Sequence, residues 1–88
     1  MGTPVDFRGS NFVFAAPKGE ENRVGNLPVF KNGHCIVSCW ELAEQELEDI
    51  NLRRQVFLSN WSGDVLFPQF LGSERTVRSV VVDFGKIW

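Results

Sequence analysis

The run Leu27-Pro28-Val29-Phe30-Lys31-Asn32-Gly33-His34-Cys35-Ile36-Val37 decides the fold class. Two apolar stretches flank Asn32-Gly33, a dipeptide that accepts positive φ at both central positions of a type I′ turn, whose twist suits paired strands. The pattern predicts an antiparallel hairpin with a two-residue turn. The returning strand extends to about Cys39, with Cys35, Val37 and Cys39 on one face and Ile36 and Trp40 on the other. Both faces are largely apolar, as in a strand that lies inside a sheet.

Beyond the hairpin comes Glu41-Leu42-Ala43-Glu44-Gln45-Glu46-Leu47-Glu48-Asp49-Ile50. Trp40, Ala43, Leu47 and Ile50 form one stripe of a 3.6-residue period, and Glu41, Glu44 and Glu48 form a second, so an amphipathic helix with an acidic outer surface is expected. Ser38 with Glu41 three residues later fits a capping box, whereas a start between 41 and 43 leaves the preceding strand longer. Gln55 to Trp61 and Val65 to Leu71 read as two strands joined through Ser62-Gly63-Asp64, with Pro68 confining the second to an edge or a bulge. From Ser73 to Phe84, Val77, Val80, Val81 and Phe84 repeat at helical spacing. Ser73 suits the N-cap there, and Gly85 suits the position after the helix. The β-branched run Val80-Val81-Val82 keeps a strand open as the alternative.

Residues 1–28 carry Pro4, Pro17, Pro28 and a polar run from Lys18 to Arg23, which predicts loop or arm for most of the stretch. Asn11 to Ala15 offers one short strand with Phe12 and Phe14 on the same side. The expectation is therefore a single α+β domain over 1–88, with 1–25 partly an extended or loop-rich N-terminal arm. Its antiparallel sheet has four to five strands from two hairpins and is packed by two helices on one face.

Composition narrows the function. With 88 residues, 9 basic against 11 acidic side chains and a net charge of -2, the chain lacks the general positive potential that phosphate-backbone binding draws on. No apolar run approaches the roughly 20 residues of a membrane span, and Met1-Gly2-Thr3-Pro4-Val5-Asp6 has no signal-peptide character. Asp6 also breaks the myristoylation pattern that Gly2 would begin. A cytoplasmic address without membrane contact is expected. Asn60-Trp61-Ser62 matches a glycosylation sequon, which has no use at that address.

Catalytic constellations are poor. One His, two Cys and no Tyr leave His34 beside Cys35 as the nearest approach to a base and nucleophile, and alternation along a strand would point them apart. The same alternation argues against His34, Cys35 and Cys39 as metal ligands. At roughly 13 Å along an extended strand, the two cysteines lie too far apart for a disulfide, so both are expected as buried free thiols. No glycine-rich phosphate loop occurs, and Glu44 with Glu48 forms no cleft for a sugar. No enzyme activity and no cofactor are expected.

Two features point to macromolecular contact instead. Glu41, Glu44, Glu46, Glu48 and Asp49 concentrate negative charge with no basic residue among them, enough to steer a basic partner. Eight Phe and three Trp make 12% of a chain too small to bury them all. Trp61, Phe67 and Phe70, around the second hairpin, and Trp88 are the candidates for an exposed patch. The partner-binding set is thus Glu41, Glu44, Glu48, Trp61, Phe67 and Phe70, for a host protein or for self-association. A nucleic-acid-binding module would instead use Arg53, Arg54, Arg75 and Arg78, with Phe57 and Trp61 for base stacking.

The segments Leu27-Pro28-Val29-Phe30, Val37-Ser38-Cys39-Trp40-Glu41-Leu42, Val56-Phe57-Leu58-Ser59, Gly72-Ser73-Glu74 and Val77-Arg78 together resemble small uncharacterised proteins encoded in bacteriophage and prophage genomes. The resemblance spans roughly residues 11–85 and rests on structural rather than chemical motifs. It departs from that pattern at Ala43, where Ser or Thr often opens the helix. The resemblance implies no site residue. It implies a phage-borne accessory protein in a bacterial cytoplasm, or a minor virion component.

Overall fold

A computed structural model of the chain describes residues 2–16, 18–19, 25–61, 63–65 and 67–83. Four strands, β1 (Thr3–Val5), β2 (Phe12–Phe14), β3 (Leu27–Lys31) and β4 (Ile36–Glu41), are followed by two helices, α1 (Glu44–Arg53) and α2 (Glu74–Asp83). The strands form one antiparallel sheet in the order β1-β4-β3-β2, so the arrangement is α+β with four strands. β4 lies inside the sheet, where its two apolar faces predict it. The sheet is curled: Cα atoms of β1 and β3 come within 8 Å although β4 separates them, whereas two flat strand spacings would measure about 9.5 Å.

Phe30 is opposite Val37 and Val29 is opposite Ser38, so adjacent residues of β3 face opposite sides. Val29 is fully buried, Phe30 nearly so, and with Val81 of α2 they are the buried apolar residues among those described. β3 is thus covered on both sides. Its outer end is tied to β2 by Asn11, whose backbone N–H donates to the Val29 carbonyl at 2.9 Å. The Asn11 side chain accepts from the Lys31 N–H and donates to the Lys31 carbonyl, both at 2.9 Å, so one amide replaces a further residue of the ladder. Phe12 and Phe14 share a side, as alternation predicts, and pack edge to face with centroids 4.9 Å apart. The Lys31 ammonium sits 3.6 Å from the Phe12 ring centre, a cation–π contact worth about 0.5–1 kcal/mol at an exposed site.

The hairpin between β3 and β4 closes differently from the two-residue turn expected. Lys31 pairs with Ile36, which leaves residues 32–35 as a four-residue loop. Asn32 Oδ1 accepts the amide N–H groups of His34 at 2.9 Å and Cys35 at 3.0 Å, and of the two central residues only Gly33 has positive φ, at 84°. An Asn side chain that satisfies two loop amides competes with the type I′ turn, and here it wins. His34 and Cys35 consequently belong to the loop, not to the strand.

The N-terminal stretch supplies two of the four strands. β1 pairs Thr3 with Glu41, Pro4 with Trp40 and Val5 with Cys39. That pairing holds residues 36–41 extended and overturns the early helix start. Ser38 stays in β4, where its hydroxyl accepts the Trp40 indole N–H at 2.8 Å, so the capping box with Glu41 does not form. α1 begins at Glu44 behind Ala43, which makes no side-chain cap bond. It ends at Arg54, a left-handed residue (φ 56°) whose N–H donates to the Ile50 carbonyl.

Residues 74–83 are helical, which excludes the strand alternative there. Ser73 caps α2 as expected: its hydroxyl accepts the Thr76 N–H at 3.4 Å and its carbonyl accepts the Val77 N–H at 3.0 Å. Val81 is buried with Val77 and Val80 half-buried, the stripe the spacing predicts. Phe84, Gly85 and Trp88 lie outside the described residues. The second hairpin is not found among the described residues. Among the described residues from 54 to 73, a single isolated bridge at Asp64 is the whole of the regular structure. Pro68 removes a ladder donor, and a two-stranded ribbon without a third strand is marginal in water.

Candidate interaction surface

The segment between α1 and α2 carries the expected aromatic residues, and it leaves them in water. Trp61 is 95% exposed, Phe57 92% and Phe67 67%, and Phe70, Leu71 and Leu52 are also exposed. Each large apolar side chain kept in water forgoes roughly 1.5–3 kcal/mol of burial free energy. Single exposed rings are normal on a protein surface, and here several follow one another along one segment. The surface is not the sheet edge anticipated for Trp61, Phe67 and Phe70. The sheet edges are β1 and β2, and the rings lie on irregular chain beyond them.

α1, which precedes this segment in sequence, is uncovered as well. None of its residues is buried, and Leu47 and Leu52 are exposed along with the carboxylates Glu44 and Glu48, one turn apart. The acidic residues divide: Glu41 is an exposed end residue of β4, held opposite Thr3, while Glu44, Glu46, Glu48 and Asp49 ride on the helix. The acidic stripe expected through Glu41 is therefore interrupted where the strand ends. Phe57 and Leu52 are exposed although neither was in the expected partner-binding set. Phe57 was expected to face outward only in the nucleic-acid alternative, and the strand expected over Gln55 to Trp61 kept it out of the protein-binding set.

The arginines are not gathered by helix packing. Arg53 and Arg54 close α1, Arg75 and Arg78 lie on α2, and no Cα of α1 comes within 8 Å of one of α2. Arg78 is engaged elsewhere: its Nε donates to Glu74 at 3.1 Å, and a terminal nitrogen donates to the Arg8 carbonyl at 3.1 Å. These contacts line a shallow hollow formed by Arg8, Gly9, Glu74 and Arg78. A second open hollow, lined by Thr3, Val5, Glu41, Leu42 and Ala43, sits where β1 and β4 meet the approach to α1.

His34 is exposed in its loop, and Cys35 and Cys39 are free, half-buried thiols rather than the buried ones expected. Among the described residues no group of three or more His, Cys, Asp or Glu side chains converges as metal ligands would. Among those residues, too, no helix is long and apolar enough to cross a membrane. Comparison with protein-family models, with curated proteins and with solved structures gives no match.

Proposed function

We propose that this chain is a non-catalytic accessory protein that works through protein–protein contact, using the aromatic segment 54–73 and the acidic side of α1. The observation that carries the reading is the exposure of Phe57, Trp61 and Phe67 directly after a helix with no buried side chain. Rings of this kind supply the anchoring contacts of interfaces, and neighbouring carboxylates select a partner by its charge and speed the encounter. The engagement of Arg78 with Glu74 and the Arg8 carbonyl favours this reading over nucleic-acid binding through the four arginines. The phage-type sequence pattern supplies the setting of the proposal, the cytoplasm of a bacterial host.

The test is capture from host extract on immobilised protein. The wild type is compared with a Trp61→Asp/Phe67→Asp variant and a Glu44→Lys/Glu48→Lys variant, with circular dichroism confirming that each is folded. Bound protein is expected to be lost with the first variant and reduced with the second. An unchanged set of bound proteins on both would contradict the proposal.

A further inference from the structure

We infer that Asn32-Gly33 is a self-modifying site, at which the chain converts Asn32 to aspartate and isoaspartate through an internal imide, and that the folded loop speeds the conversion. The inference stands apart from the interaction reading and rests on the β3–β4 loop.

The reaction needs only the chain and water. Gly33 N gives its proton to hydroxide and attacks Asn32 Cγ, and the carbonyl electron pair moves onto Oδ1. When the pair returns, the Cγ–Nδ2 bond breaks and the nitrogen leaves as ammonia with a proton from water. A five-membered imide remains. Water opens it at Cγ to give aspartate, or at the main-chain carbonyl to give isoaspartate. The sum is amide plus water to carboxylic acid plus ammonia.

Sequence selects the place. Among the asparagines only Asn32 precedes glycine, whereas Phe12, Arg23, Leu27, Leu52 and Trp61 follow the others. A Cβ on the following residue crowds the closure of so small a ring, and glycine has none. Gly33 is exposed, and a Cβ there would meet nothing within 4 Å, so water and hydroxide reach the site.

The fold adds to the rate. The bond from the His34 N–H to Asn32 Oδ1 closes a ring that contains both Cγ and the Gly33 nitrogen, which turns the side chain back over the peptide that attacks it. The Cys35 N–H donates to the same oxygen. These two donors lie 2.9 and 3.0 Å from the atom that takes up negative charge, the spacing of an oxyanion hole. A hydrogen bond to a charged acceptor is roughly twice as strong as one to a neutral acceptor, so both bonds favour the tetrahedral adduct over the amide. Asn11 shows the contrast: its Oδ1 and Nδ2 both bond across to Lys31, which ties the side chain to another strand instead of its own next peptide.

Isoaspartate carries the main chain through Cβ and Cγ, which lengthens the loop by a methylene and makes the former Oδ1 a main-chain oxygen. Both loop amides then lose their side-chain acceptor, at the hairpin whose strands are the middle pair of the sheet. Conversion therefore loosens the β3–β4 connection as the protein ages.

Peptide mapping by mass spectrometry on the full chain tests this, with samples held at one pH in native buffer and in guanidinium chloride. Circular dichroism confirms that the second sample is unfolded. Asn32 is expected to convert about tenfold faster in native buffer, the effect of two donors on a developing charge. Both aspartate and isoaspartate are expected at position 32, with a rate that rises with pH, while Asn11, Asn26, Asn51 and Asn60 stay unconverted. A native rate equal to or below the unfolded one overturns the inference, as does aspartate without isoaspartate or conversion elsewhere ahead of Asn32.

Discussion

In residues 2–41, segments far apart in sequence are bonded to one another: β1 to β4, β2 to β3, and Asn11 to Lys31 twenty positions away. In residues 42–83, the backbone bonds that close α1 and α2 run over four positions, from Ala43 to Leu47, Ile50 to Arg54 and Ser73 to Val77. The tie from Arg78 back to Arg8 links the two regions. The comparison separates two sources of order. A sheet is made by its partners, whereas a helix closes its own hydrogen bonds and still draws most of its stability from a covered face. α1 has the bonds without the cover, and the second region carries the most exposed rings, Phe57, Trp61 and Phe67.

Four substitutions sharpen the contrast. Phe30→Ala removes a core ring from the middle of the sheet and is expected to cost about 3–5 kcal/mol in urea unfolding. A loss below 1 kcal/mol would show that the sheet is not the folded core. Asn11→Ala deletes two side-chain bonds to Lys31 and is expected to cost about 1–2 kcal/mol, with faster amide exchange at Lys31. No change there would mean that the tie between β2 and β3 does not depend on the Asn11 amide. Ser73→Ala removes the α2 cap and is expected to cost about 1 kcal/mol, with exchange rising at Thr76 and the β3 amides unaffected. Exchange rising equally throughout the sheet would erase the distinction between the regions. The smallest effect is a gain: Arg54→Gly relieves the left-handed backbone at the end of α1 and is expected to raise stability by under about 1 kcal/mol. A loss of helical circular dichroism would contradict that geometry.

The legible parts of the fold were those whose signal is local. Asn32-Gly33 announced the β3–β4 hairpin, the Phe12–Phe14 alternation announced β2, and Ser73 with the valine spacing announced α2. β1 escaped because Thr3-Pro4-Val5 is three residues long and contains a proline. It becomes a strand only when β4 is beside it, and missing it placed the start of α1 too early. The run from Gln55 to Leu71 has strand-like composition, but composition cannot supply the third strand that would hold a hairpin there. For the surface, the ratio of area to volume required some rings to face water, and Trp61, Phe67 and Phe70 do. Their place on irregular chain was not legible, because it depends on how little strand pairing the described residues of that segment make.

The most direct measurement is hydroxyl-radical surface labelling of the free chain, read residue by residue by mass spectrometry. Phe57, Trp61 and Phe67 are expected to be labelled heavily and Phe30, at the centre of the sheet, to be protected. Protection of those three rings equal to that of Phe30 would contradict the account.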